Sequence, residues 1–339
     1  MKAVEVIEPG RLVISERPMP SIPEGNEVVV RIKAAGICGS DSHIYHGRSA
    51  FASYPRIIGH EMAGEIYQTG NSVDGLKPGD KVVIDPVVSC GSCYACRIGR
   101  HNVCSSVKVI GVHLDGGYRE YIKVDAGNVY KLPQDMPWEF AATVEPYSIA
   151  AESVERGQLT AEDTVLICGA GPIGLVILQA VKRTGARAAV MDIVDSRLEK
   201  ALSMGADMAI NTKRDDLMKS IMDFTGNEGV NLIFEATGNI GIIELSVSRL
   251  VSQAGRVVVL GFPTEPARIA PIDIMKRELD IKGSRLNRNK FPEVIEWLKA
   301  KEVDPSKLIS HVFPFDEIQK AFDLSDAEPE NVCKIILTF

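Results

Sequence analysis

Seven cysteines stand at positions 38, 90, 93, 96, 104, 168 and 333, and four of them crowd into one short stretch. That stretch reads Cys90-x2-Cys93-x2-Cys96-x7-Cys104 within a Gly-containing loop. Four thiolates close a tetrahedral shell around zinc and leave no open position, so the spacing predicts a structural zinc in loop 90–104. Two disulfides would use the same four thiols. The segment Met1–Pro20 is broken by charges and prolines and lacks an apolar signal-peptide core, so the cytoplasm is the expected compartment. Thiols stay reduced there, which favours the metal.

Cys38 lies apart, in Gly36-Ile37-Cys38-Gly39-Ser40-Asp41-Ser42-His43, and Gly59-His60-Glu61 follows 22 residues later. One thiolate, one imidazole and one carboxylate would make a three-ligand zinc site whose fourth position is open to water or a substrate oxygen. Taken singly, a buried cysteine, a core histidine and a surface glutamate explain them as well, and spacing alone does not bring Cys38 to His60.

A third constellation is Gly169-Ala170-Gly171-Pro172-Ile173-Gly174, between the apolar run Val165–Cys168 and a helical pattern over Leu175–Thr184. The first glycine permits a tight turn and the second lets backbone approach a pyrophosphate. The third allows close helix–strand packing, and the helix N-terminus supplies N–H groups and partial positive charge. Asp192 ends the next strand 18 residues after Gly174, where an acid binds ribose hydroxyls and repels a 2′-phosphate. The pattern predicts NAD rather than NADP. Arg197 is a candidate for stacking on adenine or for a place on a helix surface.

The elements that must position these groups fall into three stretches. The 339 residues are 45% hydrophobic and 24% charged, the composition of an ordinary globular chain of about two domains. The net charge of −7 gives no basic footprint for nucleic acid or anionic membrane. Residues 1–146 read as β-rich, with short runs such as Glu27–Ala34, Met62–Thr69, Lys81–Asp85 and Tyr118–Val124 between turn signals. Residues 147–285 alternate strands (Thr164–Cys168, Ala188–Asp192, Ala209–Ile210, Leu232–Phe234, Arg256–Leu260, Asp280–Gly283) with helical segments, the mark of a parallel α/β sheet. Residues 286–339 carry helices over Pro292–Lys301 and Phe315–Leu324 and a final strand, Lys334–Phe339. They are too short for a domain and are expected to return to the first one. The uncharged run Thr164–Val181 approaches the length of a membrane span, but its glycines and Pro172 read as strand, turn and buried helix.

With these motifs in order along nearly the whole chain, the sequence resembles the zinc-dependent medium-chain alcohol and polyol dehydrogenases. The resemblance implies a GroES-like β-barrel catalytic domain interrupted by a Rossmann doubly wound domain. It also implies two zinc ions per chain, one catalytic and one structural, and NAD. By the same resemblance Cys38 and His60 are catalytic zinc ligands, and Glu61 is a third ligand or a mobile carboxylate. At Val144-Glu145-Pro146 the chain departs from the alcohol dehydrogenases, which place a second ligating cysteine where Glu145 stands. Polyol-type relatives have glutamate there, so the inner ligand stays open between Glu61 and Glu145. Ser40 and His43 match the family's proton relay, and Leu260 and Arg285 fall where family members face the cofactor.

The run Gly39–Tyr45 together with Ser284-Arg285-Leu286-Asn287 resembles bacterial enzymes acting on hexonic acids, the L-gulonate and L-galactonate 5-dehydrogenases and the starvation-sensing protein B group. A sugar-acid carboxylate needs a cation, and Arg48, Arg285, Arg288 and Lys290 are the candidates. Neutral polyols and L-threonine remain as other substrates. A zinc-free quinone reductase and a non-enzymatic NAD sensor or scaffold remain as other classes, although neither requires the set Cys38, Ser40, His60, Glu61 and Glu145. A small hydroxyl compound is the expected partner. Family habit implies a homodimer or homotetramer paired through Asp280–Gly283.

Overall fold

Glu27–Ile37 is the longest strand, and nearly every residue along it is buried. Its buried positions are mostly valine, isoleucine and alanine, with Arg31 exposed and Lys33 half-buried. One edge pairs antiparallel with Glu61–Thr69 throughout. The other edge is shared between two partners, Tyr121–Asp125 beside Glu27–Arg31 and Lys334–Thr338 beside Ala34–Ile37. The tail strand therefore reaches the end of Glu27–Ile37 that runs into Cys38. The full sheet has seven strands, with Val129–Lys131 and Lys81–Ile84 outside Glu61–Thr69, and Ile309–Pro314 parallel to the tail strand.

The computed structural model describes residues 1–339 and divides them into two units. The first comprises Met1–Pro146, Arg288–Lys301 and Ile309–Phe339, and the second Tyr147–Asn287 and Glu302–Leu308. Two apolar clusters form much of the core of the first, one around Ile44, Tyr118 and Phe322, the other around Val30, Met62 and Ile84.

In the second unit six parallel strands stand in the order Met208–Asn211, Arg187–Asp192, Thr164–Cys168, Val230–Glu235, Val251–Val259, Asp280–Gly283. Numbered within the unit this is 3-2-1-4-5-6, the doubly wound dinucleotide-binding order, whose strand ends form the ligand crevice at the switch between first and fourth strands. The run Thr164–Val181 resolves into the first strand and the buried helix Pro172–Arg183. No helix is long and apolar enough to cross a membrane.

Several elements differ from the sequence reading, among them the strand read as Tyr118–Val124, which starts at Tyr121, and the tail strand Ile309–Pro314, which sequence reasoning missed. The fifth strand begins at Val251 rather than Arg256, and Ala254 at φ +52° and a shift of register bulge it. A 14-residue helix, Val144–Gly157, starts at the Glu145 segment. Pro146 lies in its first turn, where no intrahelical N–H is needed, so proline does not forbid it.

Candidate active site

In the four-cysteine loop the Cys93 and Cys96 sulfurs are 3.5 Å apart, as are those of Cys90 and Cys104. A disulfide needs about 2.05 Å. Four sulfurs about 2.3 Å from one zinc lie roughly 3.8 Å from each other, so the spacing suits a shared ion. Backbone N–H groups already point at sulfur, from Cys93 to Cys90 at 3.3 Å and from Cys90 and Ser106 to Cys104 at 3.4 Å. The N–H groups of Ser92 and Cys93 draw the Cys90 thiol well below its ordinary value, towards the thiolate a metal requires. All of this lies within one loop.

The second cluster is assembled from two separate segments. Cys38 sits before the short helix Gly39–Tyr45, while His60 precedes and Glu61 begins the neighbouring strand. Their ligand atoms all lie within 4.8 Å of one another. His60 turns Nδ1 towards Asp41, 3.6 Å from Oδ1, which leaves its other ring nitrogen for a metal. Burial alone would pull the imidazole pKa down, but the charges of Asp41 and Cys38 outweigh it, so the metal-free ring holds a proton well above the ordinary histidine range. Burial would likewise raise the Asp41 carboxyl. His60 and the hydrogen bonds from Cys38 and Tyr118 override it and keep Asp41 ionised.

Glu61 carries a partner that the sequence did not announce. Lys334, on the tail strand, donates to both carboxylate oxygens at 2.6 and 2.8 Å and to the Ile37 carbonyl at 3.0 Å. Both side chains are fully enclosed, at 2% and 1% exposure. Burial lowers the amine's pKa, yet Glu61 and Cys38 raise it further, so Lys334 stays charged. The carboxylate folds into the space that Gly36 leaves vacant, where a Cβ would lie 1.9 Å from Oε2. Glu145 is buried beside this group but outside the cluster of three. Burial first, and then Glu61's charge, push its carboxyl up to about 8 in the metal-free protein against the pull of His60 and Lys334.

In the second unit the glycine loop has the geometry its spacing requires. Gly169 adopts φ +99°, and a Cβ on Gly174 would lie 1.8 Å from the Gly169 carbonyl oxygen. A Cβ on Gly171 would meet nothing within 4 Å. Packing therefore does not demand glycine at 171, and the open space before helix Pro172–Arg183, with Ile173 in its first turn, is the cradle a pyrophosphate would fill. Asp192 ends the second strand and accepts N–H groups from Ala170 at 2.7 Å, Ile193 at 2.7 Å and Val194 at 3.0 Å. It ties the glycine loop to the strand beside it.

Family models match on both sides of this division. An alcohol dehydrogenase GroES-like domain matches residues 24–134 and a zinc-binding dehydrogenase domain matches residues 172–300. The starvation-sensing protein RspB of Escherichia coli K12 is 44% identical over 100% of this chain and 99% of its own length. The chain belongs to the zinc-binding alcohol dehydrogenase family. Another relative, the L-galactonate-5-dehydrogenase of the same organism, is 32% identical over 98% of this chain and 97% of its own. Among solved structures, RspB of E. coli CFT073 in complex with NADH superposes with a TM-score of 0.95 at 44% identity, covering 100% and 99% of the two chains.

Within this dehydrogenase the remaining candidates are placed as follows. Ser40 and His43 share the helix Gly39–Tyr45, Ser40 half-buried and His43 exposed. Arg197, on helix Asp195–Ser203, and Leu260 and Arg285, just past the fifth and sixth strands, are all half-buried. Arg48 is exposed beyond the Gly39–Tyr45 helix. Arg288 is half-buried, and its charge, after burial, lowers the pKa of His101 in the four-cysteine loop. Lys290 pairs with Glu293 at 2.8 Å. Sequence reasoning missed Lys334, Asp41 and Tyr118. A single charge in the apolar run Lys334–Leu337 was the available signal for the first, and Asp41's place three residues after Cys38 for the second. Glu235 was also missed. Its buried carboxylate accepts the N–H groups of Thr237 at 2.8 Å and Gly238 at 3.1 Å, shaping the loop after the fourth strand.

Proposed function

We propose that the protein oxidises a secondary alcohol of a hexonic-type sugar acid to the keto acid, with NAD as hydride acceptor. The observation that carries this reading is the convergence of Cys38, His60 and Glu61 within 4.8 Å. It is supported by the likeness to RspB, whose homologue was solved with NADH, and to an L-galactonate-5-dehydrogenase. Cys38, His60 and Glu61 would hold zinc, which when bound lowers the pKa of a coordinated hydroxyl. Glu61 is assigned as the third ligand over Glu145 because its carboxylate lies inside the cluster. Cys90, Cys93, Cys96 and Cys104 would hold a second, structural zinc. Gly169, Gly171, Gly174 and Asp192 would hold NAD, the helix N-terminus facing its pyrophosphate and the Asp192 carboxylate its ribose.

The chain's own groups then carry the proton. Ser40 Oγ would accept it from the substrate hydroxyl while giving up its own proton, and His43, three residues along the same helix and exposed, would release a proton to water. The acid's carboxylate calls for a planar fork of donors, and Arg285 is assigned to it because arginine pairs bidentately where lysine cannot. The test is NAD reduction measured over hexonic acids, neutral polyols and L-threonine, with and without chelator. Turnover of a hexonic acid, abolished by chelator, is the expected result. Arg285→Met should raise the KM for that acid by about tenfold or more while leaving any neutral polyol unaffected. Turnover of polyols alone would refute the sugar-acid assignment.

A further inference from the structure

We infer that Tyr118 is a positioning residue for the metal centre, holding Cys38 and His60 at the separation of one ion through Asp41 and Gly59. This rests on the reading of Cys38, His60 and Glu61 as a metal site, and deepens it. Tyr118 is fully buried, and its hydroxyl lies 3.0 Å from Asp41 Oδ2 and 3.0 Å from the Gly36 carbonyl oxygen. Asp41 reaches both ligand segments. Oδ2 accepts the Cys38 N–H at 2.9 Å, while Oδ1 accepts the Gly59 N–H at 3.2 Å and lies 3.6 Å from His60 Nδ1.

The tyrosine ring makes the second contact. It lies over Gly59, where a Cβ would stand 2.3 Å from Cδ1, and Gly59 holds φ +94°. The backbone fixes the ring in place. The Tyr118 N–H donates to the Ile58 carbonyl at 3.0 Å and the Gly117 N–H to the Gly59 carbonyl at 2.8 Å. One side chain thus touches the residue before His60, the carboxylate that faces His60, and the backbone leading into Cys38. A core aromatic needs only the ring. A hydroxyl donated to the buried carboxylate that lies 3.6 Å from the imidazole of His60 has a further consequence, because outer partners of a metal ligand are worth about 10–100-fold in metal affinity. The phenol has one proton for two acceptors, Asp41 Oδ2 and the Gly36 carbonyl oxygen, both at 3.0 Å.

The experiment compares wild type with Tyr118→Phe, Asp41→Asn and the double variant. Each is loaded with zinc and then challenged with a chelator while zinc release is followed, and the catalytic-site zinc is separately exchanged for cobalt to record its visible spectrum. Tyr118→Phe keeps the ring, so folding is expected to survive. Release of one of the two zinc ions should accelerate about tenfold or more, the other should leave at the wild-type rate, and the cobalt bands should shift. Because Tyr118 acts through Asp41, the double variant should release zinc no faster than Asp41→Asn alone. Wild-type release and spectrum in Tyr118→Phe, or strictly additive effects in the double variant, would overturn the inference and leave the metal reading intact. A wild-type protein with a single zinc per chain, lost on mutation of the four-cysteine loop, would overturn both.

Discussion

The molecule builds its two candidate metal sites by opposite strategies. The four-cysteine loop gathers its ligands within 15 consecutive residues, and its sulfurs are fed by N–H groups of the same loop. The Cys38 cluster draws on residues 38, 60 and 61, and its supporting groups come from positions 36, 41, 118 and 334. The loop is largely exposed at Cys90 and closes on itself, whereas the other cluster is sunk against a sheet. A saturated site can be built locally because it has to do nothing but persist. An open site must keep a coordination position vacant while its charged ligands are out of water, so neighbouring strands have to supply the compensation.

Removing one thiol from each site breaks this contrast most sharply. Cys38→Ser is expected to lower turnover by about 10³-fold or more, since it removes the Lewis-acid site, while NADH binding persists and metal analysis falls from two zinc ions to one. Cys104→Ser should also cost one zinc. Its loss should appear as a lower unfolding temperature, with kcat of the folded protein within about threefold of wild type, because a closed site supplies folding energy and no chemistry. If Cys38→Ser turned over substrate at an appreciable rate, the division into a chemical and a structural site would fail.

The Glu61–Lys334 pair tests how the open site is supported. Lys334→Met leaves a buried carboxylate without its cation, which costs about 3–5 kcal/mol. In the zinc-loaded protein the metal takes over much of that compensation, so the loss of stability should be clearly smaller than in chelator-stripped protein. Thermal unfolding of both forms measures it. Equal losses with and without metal would show that Glu61 does not face the ion, and would return the choice of third ligand to Glu145. Gly36→Ala probes the same carboxylate sterically, since its methyl group would fall on Oε2.

The same locality decides what could be read from the sequence. The four-cysteine loop and the Gly169–Gly174 turn are written in consecutive residues, and their neighbouring strand and helix follow from periodicity. The alternation of residues 147–285 likewise gave the strands of the parallel sheet, because a strand buried on both faces must be apolar throughout. Cys38 and His60 were legible as residue types but not as neighbours. Their meeting depends on the register of Glu27–Ile37 against Glu61–Thr69, and no local pattern encodes that register. Lys334 was harder still, since its role requires the tail to return as a strand beside Ile37. The helix Val144–Gly157 was hidden by Pro146, whose meaning changes from breaker to tolerated first-turn residue only once the start is known.

A smaller effect sharpens the contrast from the local side. Arg97 lies in the four-cysteine loop and donates to the Ser92 carbonyl oxygen at 2.6 Å from an exposed position. Arg97→Ala removes one solvent-accessible hydrogen bond, worth about 0.5–1.5 kcal/mol at most. Release of the loop zinc to a chelator should therefore stay within about threefold of wild type. The loop's sulfurs keep their own backbone donors whatever Arg97 does, so the shell has little to lose. Losing the Tyr118 hydroxyl, by contrast, should disturb the carboxylate that faces His60, and the expected effect of such an outer partner is about tenfold or more. Should Arg97→Ala release the loop zinc as readily as Tyr118→Phe releases the catalytic one, the closed site would prove as dependent on outer contacts as the open one. Locality in the sequence would then cease to mark which of the two metals is merely structural.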